Sequence, residues 1–317
     1  MSRNVLVTGG AGFIGGHVAE AHLAEGDRVW VVDDLSSGRE SNVPDEAELH
    51  VMDIGDRSLD TLFDSVRFDL VSHHAAQIDV RISVSEPRRD ARTNVDGLLN
   101  VLENANRHRS RVVYISSGGV VYGEPVTRPT PETAPKVPES PYGVTKLAGE
   151  HYLYYYARVQ GLEYVAFRYS NVYGPRQDPH GEAGVVAIFG QRVLAGRPMT
   201  VFGDGEQTRD YVYVGDVVAA NLLAARLPLG PAGTVLDQRA YNVATGVETS
   251  VNQLARAIMD AAGREVELER APARPGELMH SSLDVSKLRA AGWEPRTALG
   301  EGLIETLNHI EREIGEQ

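Results

Sequence analysis

Short apolar runs alternate with longer amphipathic stretches through the first half of the chain, and that alternation predicts strands and helices in turn. Val5, Leu6 and Val7 make a continuous apolar strand. Residues 13–25 carry apolar positions at helical spacing and stop at Gly26, which predicts a helix. Arg28-Val29-Trp30-Val31-Val32 gives a second strand ending at Asp33. A third strand leads to Asp53-Ile54, a fourth closes at His74-Ala75-Ala76-Gln77, and a fifth covers 112–116. Strand and helix alternating as far as Arg168 predict an α/β fold, a doubly wound parallel sheet with helices on both faces. Residues 1–168 plus about 210–240 are read as one domain, and about 169–209 with 241–317 as a smaller mixed α/β lobe. Helices at 252–262 and 299–314 belong to that lobe.

The first strand runs straight into Gly9-Gly10-Ala11-Gly12-Phe13-Ile14-Gly15. Gly9 lets the strand turn sharply, Gly12 lets backbone N–H groups approach a pyrophosphate, and Gly15 lets the helix pack close to the sheet with its dipole toward the phosphates. The G-x-x-G-x-x-G spacing is one residue wider than the commoner form. Any tight strand-to-helix turn favours glycine, so the surrounding strand–helix–strand unit carries the argument. Asp33 stands 18 residues beyond Gly15, where a carboxylate accepts hydrogen bonds from an adenosine ribose. It would repel a 2′-phosphate, which favours NAD over NADP. Asp34 sits beside it, and the choice between the two acids is open at this stage.

The 317 residues suffice for one large or two modest domains, and the composition fits a soluble cytoplasmic enzyme. No apolar run approaches a membrane span, and no basic segment followed by an apolar signal core opens the chain. The absence of cysteine excludes disulfides and thiolate metal sites. His73 and His74 alternate across a strand and cannot share a metal, so none is expected. A net charge of −13 argues against nucleic acid as a partner.

Lysine occurs only at 136, 146 and 287, which sharpens Tyr142-Gly143-Val144-Thr145-Lys146. With 13 tyrosines and 3 lysines in 317 residues, chance supplies roughly 0.12 such Tyr-x-x-x-Lys pairs. The spacing places phenol and ammonium on one helix face, behind Ser140 as N-cap and Pro141 in the first turn. A free tyrosine with a pKa of about 10 is a poor base near neutrality. A neighbouring ammonium and a nicotinamide cation would lower it into the working range. A merely exposed pair would contribute a few tenths of a kcal/mol.

Together the glycine turn and the Tyr–Lys pair resemble the extended short-chain dehydrogenase/reductase family, a Rossmann fold. Further residues narrow the resemblance to nucleotide-sugar 4-epimerases of the UDP-galactose 4-epimerase type. They run in order through Asp53-Ile54, His74-Ala75-Ala76-Gln77, Asn94-Val95, residues 117–123, Arg168-Tyr169-Ser170-Asn171, Phe202-Gly203-Asp204-Gly205, Arg209-Asp210-Tyr211-Val212 and Arg274-Pro275-Gly276-Glu277, covering nearly the whole chain.

The resemblance implies that Gly9, Gly12, Phe13, Ile14, Gly15, Asp33 or Asp34, Asp53, Ile54, Ala75, Ala76, Gln77, Asn94 and Tyr169 hold NAD together with Tyr142 and Lys146. Asn94 would begin a helix as the family's structural asparagine. The UDP-sugar would meet Asn171 and the arginine pair Arg209 and Arg274 at its diphosphate, Thr200 and Phe202 at its uracil, and Glu277 at the end of the last motif. The family places a serine or threonine three residues before the valine of Val121-Tyr122-Gly123, and here that position is Gly118. Ser117 lies one residue further back, and Gly118-Gly119 could bend to bring its hydroxyl into place.

Ser117, Tyr142 and Lys146 are accordingly the expected catalytic set, oxidising C4 to a transient ketone and returning hydride to the other face. A 4,6-dehydratase carries an Asp-Glu pair after its hydroxyl residue, where this chain has glycines and Val120. Seven residues after Arg274, Ser281 is small, which in this family admits N-acetylated sugars beside UDP-glucose and UDP-galactose. Arg81 matches a position where UDP-glucuronate 4-epimerases carry arginine, which supplies the alternative substrate. The tyrosines at 152, 154, 155 and 156 continue the Tyr142 helix and are expected at a homodimer interface built with the helix after Asn94.

Overall fold

The computed structural model describes residues 2–124, 127–179, 184–274 and 278–315. Two compact units are present, one of Met1–Val121, Lys136–Arg168 and Val218–Tyr241, the other of Tyr122–Pro135, Tyr169–Val217 and Asn242–Gln317. This corrects the expected boundaries: residues 122–135 and 210–217 fall in the second unit. Backbone pairing is the reason. Thr130 exchanges backbone hydrogen bonds with Ser282 and Asp284, and the strand Tyr211–Tyr213 pairs in parallel with Asn171–Tyr173.

The first unit is organised by a seven-stranded parallel sheet. Its strands β1 (Asn4–Thr8), β2 (Arg28–Asp33), β3 (Glu48–Val51), β4 (Leu70–His73), β5 (Arg111–Ser117) and β6 (Tyr164–Tyr169) are joined at one edge by Ala240–Val243. The order from that edge is Ala240–Val243, β6, β5, β4, β1, β2, β3. The chain builds outward from β1 to β3, then crosses back to β4, so the order reverses between β1 and β4. In such sheets ligands bind beyond the strand C-termini at that reversal. β1, β4 and β6 are almost wholly buried, which is why they read as apolar runs rather than alternating ones. Leu6, Phe63, Phe68, Leu98, Leu102 and Leu153 form the centre of the core.

Asn94 does not begin a helix. Helical backbone starts at Pro87 and continues to His108, with a π-helical segment Arg92–Gly97 around Asn94. The first turns are held by polar contacts rather than an apolar stripe, so their sequence carries no helical hydrophobic signal.

In the second unit, helices Val185–Leu194, Val251–Ala262 and Leu299–Gly315 enclose a core that includes Phe189, Met199, Leu254, Ile258, Leu303 and Leu307. Ser250 and Gln253 form a reciprocal capping box on Val251–Ala262, and Gly263 ends it with φ +59°. Strands Met199–Phe202 and Leu268–Ala271 pair in parallel beside these helices. Among the described residues no helix is long and apolar enough to cross a membrane.

Candidate active site

The glycine turn is as tight as its composition suggested. Gly9 has φ +69°, and a Cβ there would stand 2.5 Å from the backbone nitrogen of Ala75. A Cβ on Gly15 would overlap the Gly9 carbonyl oxygen. Gly12 caps the helix Phe13–Ala24 from an extended conformation without a side-chain cap, so the helix start presents backbone. We expect Gly15→Ala to push the helix off the turn, lowering the amount of dinucleotide that copurifies at least tenfold. Release of bound nucleotide by acid and its quantification by chromatography would check this; wild-type content would refute it.

The two acids after β2 separate clearly. Asp33 is buried, accepting the Ala11 N–H on Oδ2 and the Leu35 N–H on Oδ1, both at 2.9 Å. Burial raises its carboxyl above the usual range, against the pull of those two bonds. Asp34 is exposed and turns back on Ser36. The carboxylate tied to the glycine turn is therefore Asp33.

Past β3, Asp53 is exposed and accepts the Gly55 N–H, while Ile54 is buried and its carbonyl accepts from Asn100 at 2.7 Å. Beyond β4, the Ala75 backbone lies against Gly9, and Ala76 follows in the same half-buried loop. Gln77 and Asn94 exchange hydrogen bonds: the Gln77 N–H donates to Asn94 Oδ1, and Asn94 Nδ2 donates to the Gln77 carbonyl, each at 2.9 Å. The glycine cradle, the uncapped helix start and the buried strand-end carboxylate fit a dinucleotide.

β5 delivers Ser117 at its last position, and a single turn, Gly118–Val121, follows. The helix Pro141–Tyr155 starts as its sequence predicted, with Ser140 Oγ accepting the Gly143 N–H at 3.1 Å and Pro141 in the first turn. A Cβ on Gly143 would come 2.8 Å from the Val120 carbonyl oxygen, so the helix runs tightly against the turn behind Ser117. Lys146 is 4% exposed and donates from Nζ to the Ile115 carbonyl at 2.9 Å. That nitrogen lies 5.8 Å from the centre of the Tyr142 ring and 5.3 Å from that of Tyr114. Burial pulls the ammonium down to about 8, with Asp90 opposing. Tyr142 and Ser117 are both half-buried, and a Cβ on Gly119 would sit 3.8 Å from Ser117 Oγ. This arrangement can accept a proton on a phenol beside a fixed cation.

The second unit gathers part of the expected substrate set. Arg274 stacks its guanidinium 4.0 Å from the centre of the Phe202 ring. Thr200 and Phe202 share the strand Met199–Phe202, Asn171 opens Asn171–Tyr173, and Tyr169 ends β6 in a buried position. Arg209 lies in the pair Thr208–Arg209 and donates to the Thr208 carbonyl at 2.8 Å. Ser281 is buried, and Glu277 lies outside the described residues. Arg81 is largely exposed and ion-paired to Asp79 at 2.8 Å. No cluster of potential metal ligands occurs among the described residues.

A family model described as the NAD dependent epimerase/dehydratase family matches residues 5–244. The chain belongs to the NAD dependent epimerase/dehydratase family. Among its members, the UDP-glucose 4-epimerase of Mycolicibacterium smegmatis is 47% identical over 309 residues, covering 95% of this chain and 96% of that one. The crystal structure of a Thermotoga maritima UDP-glucose 4-epimerase with UDP-glucose has a TM-score of 0.93 at 45% identity, covering 98% of this chain and 99% of that one. A Thermus thermophilus UDP-glucose 4-epimerase in complex with NAD has a TM-score of 0.90 at 44% identity, covering 97% and 99%.

This member of the epimerase/dehydratase family also carries buried charged groups that sequence reasoning missed. Asp90 is fully buried, with Thr145 Oγ1 donating to it at 2.7 Å, Gln77 Nε2 at 2.9 Å and Asn94 Nδ2 at 3.0 Å. Glu150, one turn past Lys146, accepts from Ser116 Oγ at 2.6 Å and from Nε and Nη2 of Arg168. Arg168 continues to Asp237 at 2.7 Å, and Asp237 meets Lys136 at 2.5 Å. In the second unit, the buried Asp210 gathers the N–H groups of Thr245, Gly246 and Leu283. Arg168 and Asp210 lay inside quoted motifs. Asp90 sat unmarked in the charged stretch Arg88-Arg89-Asp90-Ala91-Arg92.

Proposed function

We propose that the protein interconverts the C4 epimers of a UDP-hexose, UDP-glucose with UDP-galactose, and accepts the N-acetylated pair UDP-GlcNAc and UDP-GalNAc as well. The observation that carries this reading is Tyr142 and the buried Lys146 on one helix face, packed against the turn that follows Ser117. Gly9, Gly12, Phe13, Ile14, Gly15, Asp33, Asp53, Ile54, Ala75, Ala76, Gln77, Asn94 and Tyr169 are assigned to holding NAD. When bound, NAD supplies the hydride acceptor and donor for C4. Tyr142 takes the proton of the 4-hydroxyl and returns it, Lys146 stabilises the phenolate, and Ser117 holds the 4-oxygen.

Asn171, Arg209 and Arg274 are assigned to the diphosphate, and Thr200 and Phe202 to the uracil. The small side chain at Ser281 is the basis for admitting an acetamido group. The engagement of Arg81 with Asp79 favours a neutral sugar over a uronate. Elimination lacks its acid and base, since Gly118, Gly119 and Val120 follow Ser117. The enzyme would work in the cytoplasm as a homodimer, joined through the helix face where Tyr152 and Tyr155 are exposed.

Incubating the purified protein separately with UDP-galactose, UDP-GalNAc and UDP-glucuronate, without added cofactor, tests the reading. We expect the first two to reach an equilibrium mixture with their C4 epimers and the third to remain unconverted. No conversion of any of them, even with NAD⁺ added, would remove the epimerase assignment.

A further inference from the structure

The Tyr–Lys pair rests on a second charge that the reaction scheme leaves unused. Asp90 has no solvent exposure, and its three hydrogen-bond donors, the Thr145 hydroxyl and the Gln77 and Asn94 amides, are all neutral. Each contact uses the carboxyl as an acceptor, as suits an ionised group. Lys146, the next residue after Thr145, is also buried, and its hydrogen-bond acceptor is the neutral Ile115 carbonyl. The carboxylate thus holds, through Thr145, the helix residue beside the buried ammonium, and each of the two charges is hydrogen-bonded to neutral groups. Interior charges left without compensation are costly, and each can compensate the other through the poorly screening interior.

We infer that Asp90 is the buried counter-charge of Lys146, a positioning residue that keeps the ammonium charged and fixes the helix carrying it. This rests on the role assigned to Lys146 above. The other titratable groups around Lys146 are Tyr142 and Glu150 on its own helix, Tyr114 on β5, and His73 and His74 at the end of β4; Glu150 is already paired with Arg168. Burial pushes Tyr114 well above the usual phenol range and holds both histidines down at about 3, so these three are neutral at working pH. Asp90 supplies the negative charge. Its hydrogen bonds also reach the two parts flanking the helix: Gln77 in the loop after β4, and Asn94 in the π-helical segment.

Asp90→Asn isolates the charge with little disturbance. Gln77 and Asn94 both donate to Oδ1, which the amide retains as its oxygen. The new NH₂ at the other position can donate to Thr145 Oγ1, whose own proton turns to the Tyr142 carbonyl 3.0 Å away. Because the chain has three lysines, labelling with ¹³C-lysine gives three side-chain Cε signals to titrate. Lys136→Arg and Lys287→Arg identify two of them and leave the third to Lys146.

We expect the Lys146 midpoint to fall by about one pH unit or more in Asp90→Asn. The alkaline limb of kcat for UDP-galactose should move down with it. Thr145→Val, which removes the tether and keeps the charge, should leave the midpoint within a few tenths of wild type. An unmoved midpoint in folded Asp90→Asn overturns the inference, as does an equal shift in Thr145→Val. Should Asp90→Asn not fold, Asp90→Ser removes the same charge with room for water and is read in the same way. If the wild-type protein epimerises nothing, the proposed function fails, while the lysine titration still decides this point.

Discussion

Tyr142→Phe is expected to lower kcat for UDP-galactose epimerisation about 10³-fold, within the range for loss of a positioned acid–base group. The substitution removes one oxygen and leaves the ring. Helix Pro141–Tyr155 keeps its Ser140 cap and its contact with the turn behind Ser117, and Lys146 keeps the Ile115 carbonyl. Thermal stability and dinucleotide content should therefore match wild type, which distinguishes a lost base from a disturbed site. A kcat within tenfold of wild type, with the same equilibrium reached, would mean that another group moves the proton and would withdraw Tyr142 from its assigned role.

Arg168→Met is expected to cost roughly 3–5 kcal/mol of folding stability, the usual consequence of removing one partner of a buried ion pair. Arg168 has no solvent exposure and Glu150 almost none. Without the guanidinium, Glu150 would keep the Ser116 hydroxyl and lose its charged partner, while Asp237 could still meet Lys136. Adding Glu150→Gln to Arg168→Met should recover more than half of the loss, because the orphaned charge then disappears. Urea unfolding of the two variants beside wild type measures both steps. A single variant within 1 kcal/mol of wild type, an order-of-magnitude threshold, would show that the pair is not an energetic support of this helix.

The parts of the molecule that announced themselves in the sequence are those whose signal is local. Val5-Leu6-Val7 is a buried strand because both of its faces are covered. Ser140-Pro141 marks the start of the Tyr142 helix because N-caps and first-turn prolines act over a few residues. The ambiguity between Asp33 and Asp34 could not be settled that way. Only the three-dimensional turn shows which carboxylate receives the Ala11 N–H. Asn94 misled for a related reason. The helical turns before it are stabilised through Asp90 and Asn94 reaching Gln77 and Thr145, contacts between segments far apart along the chain. The tyrosine run shows the same limit: Tyr156 packs into the core of its own chain, while Tyr152 and Tyr155 are exposed, and composition alone could not divide them.

Asp33 does two jobs with one carboxylate. We assign it to the adenosine ribose, and its oxygens also hold the Ala11 and Leu35 N–H groups, stitching the glycine turn to the segment after β2. A change of preference toward a 2′-phosphorylated dinucleotide must remove the negative charge, and even Asn, which keeps one oxygen, would leave one of the two amides facing an NH₂ instead of an acceptor. A single neutral exchange at residue 33 therefore loosens the turn it is meant to re-address, and a redesign must also supply the orphaned amide with a new acceptor.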